Sequence, residues 1–193
     1  MATVPPYPVR IELADLVLRA PVDADEPAIA AAFTDPLLLR WSPPPPGTDV
    51  LTWIRQRADW SSGTRVGWVV SDPGDGPVLG TVSVRVDAAM DHGMIGYWTV
   101  PGARGRGIAT RAVRAAARFA FDTVGLHRIE LCHAVDNPGS CRVAESAGFP
   151  LEGVLRQSYR YGDGDRHDEH LHAKLRTDPD QGWIKANYFD LKK

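Results

Sequence analysis

The chain has 193 residues, 44% hydrophobic and 24% charged, enough for one globular domain with a sizeable core and giving no reason to expect two. Its 22 basic and 24 acidic residues leave a formal net charge of −2, which excludes a general attraction to nucleic acid or an anionic membrane, so local arginines must serve local anions. Two cysteines, Cys132 and Cys141, make no disulfide framework, and no charged-then-apolar leader or long apolar run is read, so a reducing cytoplasm is the expected setting.

In chain order, residues 1–10 read as a flexible, proline-broken arm, 11–176 as the single domain, and 177–193 as a tail that packs on the domain or on a partner subunit. Leu16 to Ala20 is a short strand. Ala28, Ile29, Ala32 and Phe33 fall at helical spacing after acidic residues, so a helix is expected from Asp23 to about Asp35-Pro36. Four prolines, Pro43 to Pro46, keep the next loop extended. Thr48 or Asp49 can cap a second helix that runs to Trp60, with Leu51, Ile54 and Ala58 in one stripe. Of Trp41, Trp53, Trp60 and Trp68, at least two are expected in the core. Strands follow at Arg65 to Ser71, Val78 to Asp87 and His92 to Val100.

The stretch Pro101 to Thr110 then carries three glycines, two arginines and the start of a helix. Glycines let the backbone approach a ligand, and the unpaired amides of a helix N-terminus favour an anion. A phosphate or pyrophosphate seat is the functional reading, and a tight connection with solvated arginines the bland one. A P-loop needs Lys-Ser or Lys-Thr after its last glycine, and Ile108-Ala109 stand there. A dinucleotide fingerprint needs a third glycine where Thr110 stands.

The helix from Gly107 to about Thr123 confines its polar residues to one stripe, Arg111, Arg114, Arg118 and Asp122, so most of its girth must lie against a sheet. Gly125 ends it, and His127 to Val135 is the next strand, giving a parallel crossover unit. Asn137 as cap, Pro138 at the first position and Gly148 after the end punctuate another helix, and Cys141 in its first turn sits where thiolate is favoured, although small-residue packing is its simpler role. Phe149 to Tyr161 and Arg166 to Leu175 form a last hairpin. The tail adds Trp183, Ile184, Tyr188 and Phe189.

The set Arg104-x-x-Gly107-x-Ala109, then Gly125 to Leu131, Asn137-x-x-Ser140, and Ala147-Gly148-Phe149-x-x-Glu152-Gly153 resembles the GNAT N-acetyltransferases in order and spacing, in particular the RimJ/RimL-like branch that acetylates ribosomal-protein N-termini. The resemblance covers about Leu16 to Leu175. It implies an α/β fold with a mixed, splayed sheet of about seven strands flanked by helices, acetyl-CoA as cosubstrate, and a primary amine as acceptor, on a peptide N-terminus or a small molecule. It also implies that the phosphates meet the amides of Arg104, Gly105, Arg106, Gly107, Ile108, Ala109 and Thr110. Trp98, Thr99 and Val100 would lie on a bulged strand along the pantetheine, with Asn137 bonding that arm. Ser140 would protonate the departing thiolate, and a homodimer is compatible with the family.

For the general base, Tyr97, Glu130, Tyr159, Asp168, Glu169 and ordered water stay open; Tyr159 stands where some relatives place a glutamate. His167, His170 and His172 with Asp168 invite a metal reading, since residues two apart on a strand share a face, yet a third ligand is not evident at suitable spacing; an exposed polar strand face is the reading and no metal is expected. A non-catalytic acyl-CoA-binding domain is the alternative function, and no nucleic-acid or membrane partner is expected.

Overall fold

A computed structural model of the chain describes residues 2–179 and the backbone of 187–190. Nine strands among the described residues form one sheet: β1 Val9–Glu12, β2 Val17–Arg19, β3 Arg65–Ser71, β4 Val78–Asp87, β5 His92–Thr99, β6 Arg128–Ala134, β7 Leu151–Arg160, β8 Arg166–Leu175 and β9 Asn187–Asp190. Their order is β7-β8-β6-β5-β4-β3-β2-β1-β9, and every pairing is antiparallel except β5 with β6. The expected mixed sheet is therefore present, with more strands than the seven expected. Val9 and Ile11 alternate inward on β1, which the proline-rich opening obscured, and the backbone of β9 pairs with β1. Trp183 and Ile184 lie outside the described residues, as do the side chains of Tyr188 and Phe189.

Among the described residues five α-helices accompany the sheet: α1 Glu26–Ala32, α2 Pro36–Trp41, α3 Val50–Ala58, α4 Ile108–Phe119 and α5 Pro138–Ser146. The sequence reading stops a helix at Asp35-Pro36 and starts none there. The structure starts α2 at that point, because the Asp35 carboxylate accepts the Leu38 N–H at 3.0 Å and Pro36 takes the first position. The punctuation that ends one helix thus opens another.

The α4 helix buries Ile108, Ala112, Val113, Ala115, Ala116, Ala117 and Phe119 and packs on β4 and β5. Its polar stripe faces out, as the spacing requires. One wider turn, Ala120–Val124, carries the helix on to Gly125, whose φ of 86° only glycine adopts freely. Beneath α4, Trp60, Trp68 and Phe119 meet edge to face, with centroids 5.1 to 5.9 Å apart. The Trp68 indole N–H donates to Val9 O at 2.7 Å and so ties β1 to this core. Trp53 is also buried, so three of the four tryptophans in question are structural. The opening residues are held too: Ala2 and Val4 are buried, Ala2 N donates to Asp91 Oδ1 at 3.1 Å and Thr3 N to Val124 O at 2.8 Å.

Two features position the site. First, β5 and β6 pair only from His92↔Arg128 to Met94↔Glu130, so beyond Met94 the β6 side of β5 is open. Second, the β7–β8 turn is pressed onto α2: Gly162 N donates to Arg40 O at 2.9 Å, and a Cβ on Gly162 would stand 1.7 Å from Leu39 O. Gly162→Ala is therefore expected to push the turn off α2, cost about 1–3 kcal/mol, and lower Tm by several degrees, which differential scanning calorimetry measures directly.

Candidate active site

The turn between β5 and α4 is shaped by its glycines. Pro101–Ala103 make a tight 3₁₀ turn, then Gly105 and Gly107 adopt φ of 72° and 70°, and Gly107 stands at the N-cap of α4. Two left-handed residues this close curl the chain so that successive amides converge. Among the described residues, the amides of Gly105, Arg106 and Gly107 have no backbone acceptor, and the first-turn amides of α4 have none by geometry. Arg104, Gly105, Gly107, Ile108, Ala109 and Thr110 line one end of a cleft of about 750 Å³.

The two arginines of the turn differ. Arg104 forms a close double hydrogen bond with Asp35, so its charge is matched and it clamps the start of α2 to the turn. Arg106 makes no ion pair among the described residues and, unlike its neighbours in the turn, does not line the cleft. Arg111 Nη1 donates to Arg106 O at 3.1 Å and its Nη2 lies 3.3 Å from Asp15, bracing the turn from behind. The Arg104 guanidinium holds the Asp35 carboxyl below its ordinary value of 3.8. A lowered folded value stabilises the protein above that ordinary range, and the stabilisation is lost as the pH falls through the folded value. Asp35→Asn is thus expected to lower Tm at neutral pH, with the gap to wild type closing in acid; a constant gap in a Tm-against-pH series would refute this.

Along the middle of the cleft runs the open edge of β5. Its pairing with β4 is regular throughout, from Gly80↔Thr99 to Asp87↔His92, so the expected bulge is absent on that side and the splay from β6 alone exposes the edge. Val100 N donates to Leu79 O at 3.0 Å and is not available to a ligand. Alternation along an antiparallel strand then turns Trp98 toward β4 and leaves the amides of Tyr97 and Thr99 on the open side. The Trp98 side chain still lines the cleft, where Phe33 and Trp53 pack against it at 6.2 and 6.4 Å.

Opposite lies the start of α5. The Asn137 side-chain oxygen accepts the Ser140 backbone N–H at 3.2 Å and caps the helix, and its Nδ2 is unbonded among the described residues. Ser140 lies beside Tyr97. The Tyr97 hydroxyl is buried with no hydrogen bond of normal geometry, and burial pushes its pKa up to about 12 while Ser140 acts in the opposite sense. Sequence reasoning named Tyr97 only as a candidate base and missed this pairing, because it depends on how α5 sits over β5.

The far end is aromatic. Trp41 meets Tyr161 edge to face at 5.4 Å, with the Arg40 guanidinium 4.3 Å over the indole. The Tyr161 hydroxyl donates to the buried Glu169 carboxylate at 2.8 Å, and Ser158 donates to its other oxygen at 2.5 Å. Burial and this bond push the Tyr161 pKa up. Tyr159, the position aligned with a glutamate, does not line the cleft; it is half-exposed and packs on Tyr161 at 5.0 Å. Glu130 is spent on Arg128 and His92, and Asp168 on Gln157 N.

Residues 15–150 match the family described as an acetyltransferase (GNAT) domain. The chain belongs to the GNAT acetyltransferases. The probable N-acetyltransferase YjcK of Bacillus subtilis is 38% identical over 109 residues, 55% of this chain and 60% of that protein. The same organism's putative ribosomal N-acetyltransferase YdaF is 33% identical over 132 residues, 68% and 69% of the two chains. Among solved structures, the ribosomal-protein-S5-alanine acetyltransferase of Vibrio fischeri superposes with a TM-score of 0.75 at 24% identity, covering 91% of this chain and 99% of its own. The solved structure shares the fold, the likeness to YdaF places this GNAT domain in the RimJ/RimL-like branch, and acetyl-CoA is the family's cosubstrate. No helix among the described residues is long and apolar enough to cross a membrane.

Proposed function

We propose that this GNAT domain transfers an acetyl group from acetyl-CoA to a primary amine, by direct attack within a ternary complex. The observation that carries the reading is the continuity of one cleft: an amide cradle for phosphates, an opened strand edge, the neighbouring hydroxyls of Ser140 and Tyr97 and an aromatic end follow one another along it. The pyrophosphate rests on the turn from Gly105 to Thr110. The pantetheine runs along β5, with Asn137 Nδ2 as a further donor.

The thioester carbonyl receives the amide of Tyr97 or Thr99, which stabilises the oxyanion as the amine attacks. The C–N bond forms, the C–S bond breaks, and Ser140, backed by Tyr97, supplies the proton that the thiolate takes up. At the aromatic end, Glu169 carries the negative charge and Tyr161 links it to the cleft. The ammonium proton released by the attacking amine leaves through this pair or through ordered water. Tyr159 supports the ring of Tyr161 in this scheme and does not meet the amine.

For the acceptor we favour a peptide N-terminus. The ribosomal N-acetyltransferase relative supports it, and so does chemistry: an α-amine with pKa about 7.7–8.0 is about one-third neutral at pH 7.5, whereas lysine is almost wholly charged. Isothermal titration with acetyl-CoA followed by thiol release over peptides and small amines tests the reading. Binding with release on peptides is the expected result. Binding without release on any amine would favour a non-catalytic acyl-CoA domain, and no binding would overturn both.

A further inference from the structure

Beside the reacting centre, where His133 lines the cleft and Cys141 follows Ser140 on α5, the fold assembles a cluster that no acetyl transfer needs. In the β6–β8 register His133 stands opposite His170, and Leu131 opposite His172, so three imidazoles share one face of the sheet. Cys141, in the first turn of α5, meets that face. One ligand atom from each of His133, Cys141, His170 and His172 lies within 4.8 Å of the others. The sequence offered His167, His170 and His172 with Asp168; of these only His170 and His172 join the cluster, the other two ligands come from β6 and α5, and His167 turns away to Asp163 and Trp41 while Asp168 accepts from Gln157 N.

The hydrogen bonds fix what these rings present. His133 Nδ1 lies 2.9 Å from Ala134 O, and His172 Nδ1 lies 3.0 Å from Phe149 O. A carbonyl oxygen only accepts, so each Nδ1 carries its proton and each neutral ring presents a lone pair at Nε2. Those two Nε2 atoms face each other at 3.3 Å, on stacked rings 25° from parallel. Two lone pairs so placed have nothing to donate to one another, and an electrophile between them satisfies both. Backbone carbonyls behind ligating imidazoles are the usual second support of a metal site.

The distances select the geometry. A tetrahedral zinc ion with bonds of about 2.0–2.1 Å to nitrogen and about 2.3 Å to sulfur holds nitrogen pairs about 3.3–3.4 Å apart and sulfur about 3.5–3.6 Å from nitrogen. The Nε2 pair is already at that spacing, and Cys141 Sγ is 4.0 Å from His170 Nδ1. Cys141 Sγ also lies 3.7 Å from Glu145 Oε1. Both Cys141 and His170 are partly exposed, so they have room to close the remaining gap.

We propose that His133, His170, His172 and Cys141 form a structural site for one zinc-type divalent cation. Four protein ligands leave no open position, so the ion is no Lewis acid for the transfer. It fastens α5 to β6 and β8, and α5 begins with Asn137 and Ser140. Binding converts the Cys141 thiol to thiolate and releases its proton to solvent.

The test uses the full chain, stripped by chelator and titrated with Zn²⁺ alone and with Co²⁺ alone. The expected result is one equivalent bound, a raised Tm, the strong visible bands of four-coordinate Co²⁺ and a near-ultraviolet thiolate-to-cobalt band. Cys141→Ser should remove that near-ultraviolet band and weaken binding at least about tenfold, or about 1.4 kcal/mol. The double variant Cys141→Ser, His170→Ala alters only the partly exposed ligands and should lose stoichiometric binding while its circular dichroism stays native. No uptake by folded wild type would overturn the site, as would equal uptake by the double variant. An imidazolium proton shared between His133 and His172 in the absence of any metal uptake would overturn it as well.

Discussion

Replacing Gly107 by valine is expected to abolish measurable acetyl-CoA binding while leaving the protein folded. Gly107 sits at φ 70° at the N-cap of α4, where an L-residue costs about 1–2 kcal/mol and a β-branched one is a genuine outlier. Its Cβ would stand 3.1 Å from Arg111 Nη1, the group that braces the turn through Arg106 O. A branched side chain here either flips the turn, which scatters the converging amides, or stays and occupies the approach to them. Kd should rise at least about a hundredfold, or about 2.7 kcal/mol. The strain alone should lower Tm only by about 2–4 °C per kcal/mol. Gly102→Ala is the matched control, since nothing lies within 4 Å of a Cβ there and its φ is not in the left-handed region. Isothermal titration of the two variants separates a displaced seat from a general loss of turn structure. Near-normal affinity in Gly107→Val would mean that the phosphates bind elsewhere.

The turn was legible because its chemistry is local. Three glycines, two arginines and a helix start within a few residues need no tertiary information, and Gly105 and Gly107 adopt the conformations that only glycine takes without strain. The same holds for the cap at Asn137 and for the stripe on α4. What the sequence left open is set by register and by packing between distant elements. Arg104 reads as a free cation until α2 brings Asp35 to it across 69 positions. The open amides of β5 depend on which of its alternate residues pair with β4, and a shift of one residue would reverse Trp98 and Thr99. Tyr159 and Tyr161 are two apart, yet β7 ends at Arg160 and only Tyr161, just beyond the strand, lines the cleft. The splay itself is the most distant of these effects: β6 leaves β5 after Met94↔Glu130, and no local pattern in either strand announces it.

Ser140→Ala is expected to lower kcat by about a hundredfold or more, with acetyl-CoA affinity nearly unchanged. The structure makes this substitution unusually clean. Asn137 caps α5 by accepting the backbone N–H of Ser140, so removing the hydroxyl leaves the cap in place, and alanine is the best helix former. The hydroxyl lies beside that of Tyr97, whose pKa near 12 keeps it protonated at neutral pH. Tyr97 can therefore replenish the proton that Ser140 gives to the departing thiolate. Tyr97→Phe should produce a smaller fall, since Ser140 can still reach solvent. If the two act as one relay, the double variant should be no slower than Ser140→Ala alone, because groups that act as a unit are not additive. Multiplied losses in the double variant would instead assign the two hydroxyls independent tasks. Equal losses of kcat and of acetyl-CoA affinity in Ser140→Ala would make Ser140 a positioning residue and move the proton transfer to Tyr97.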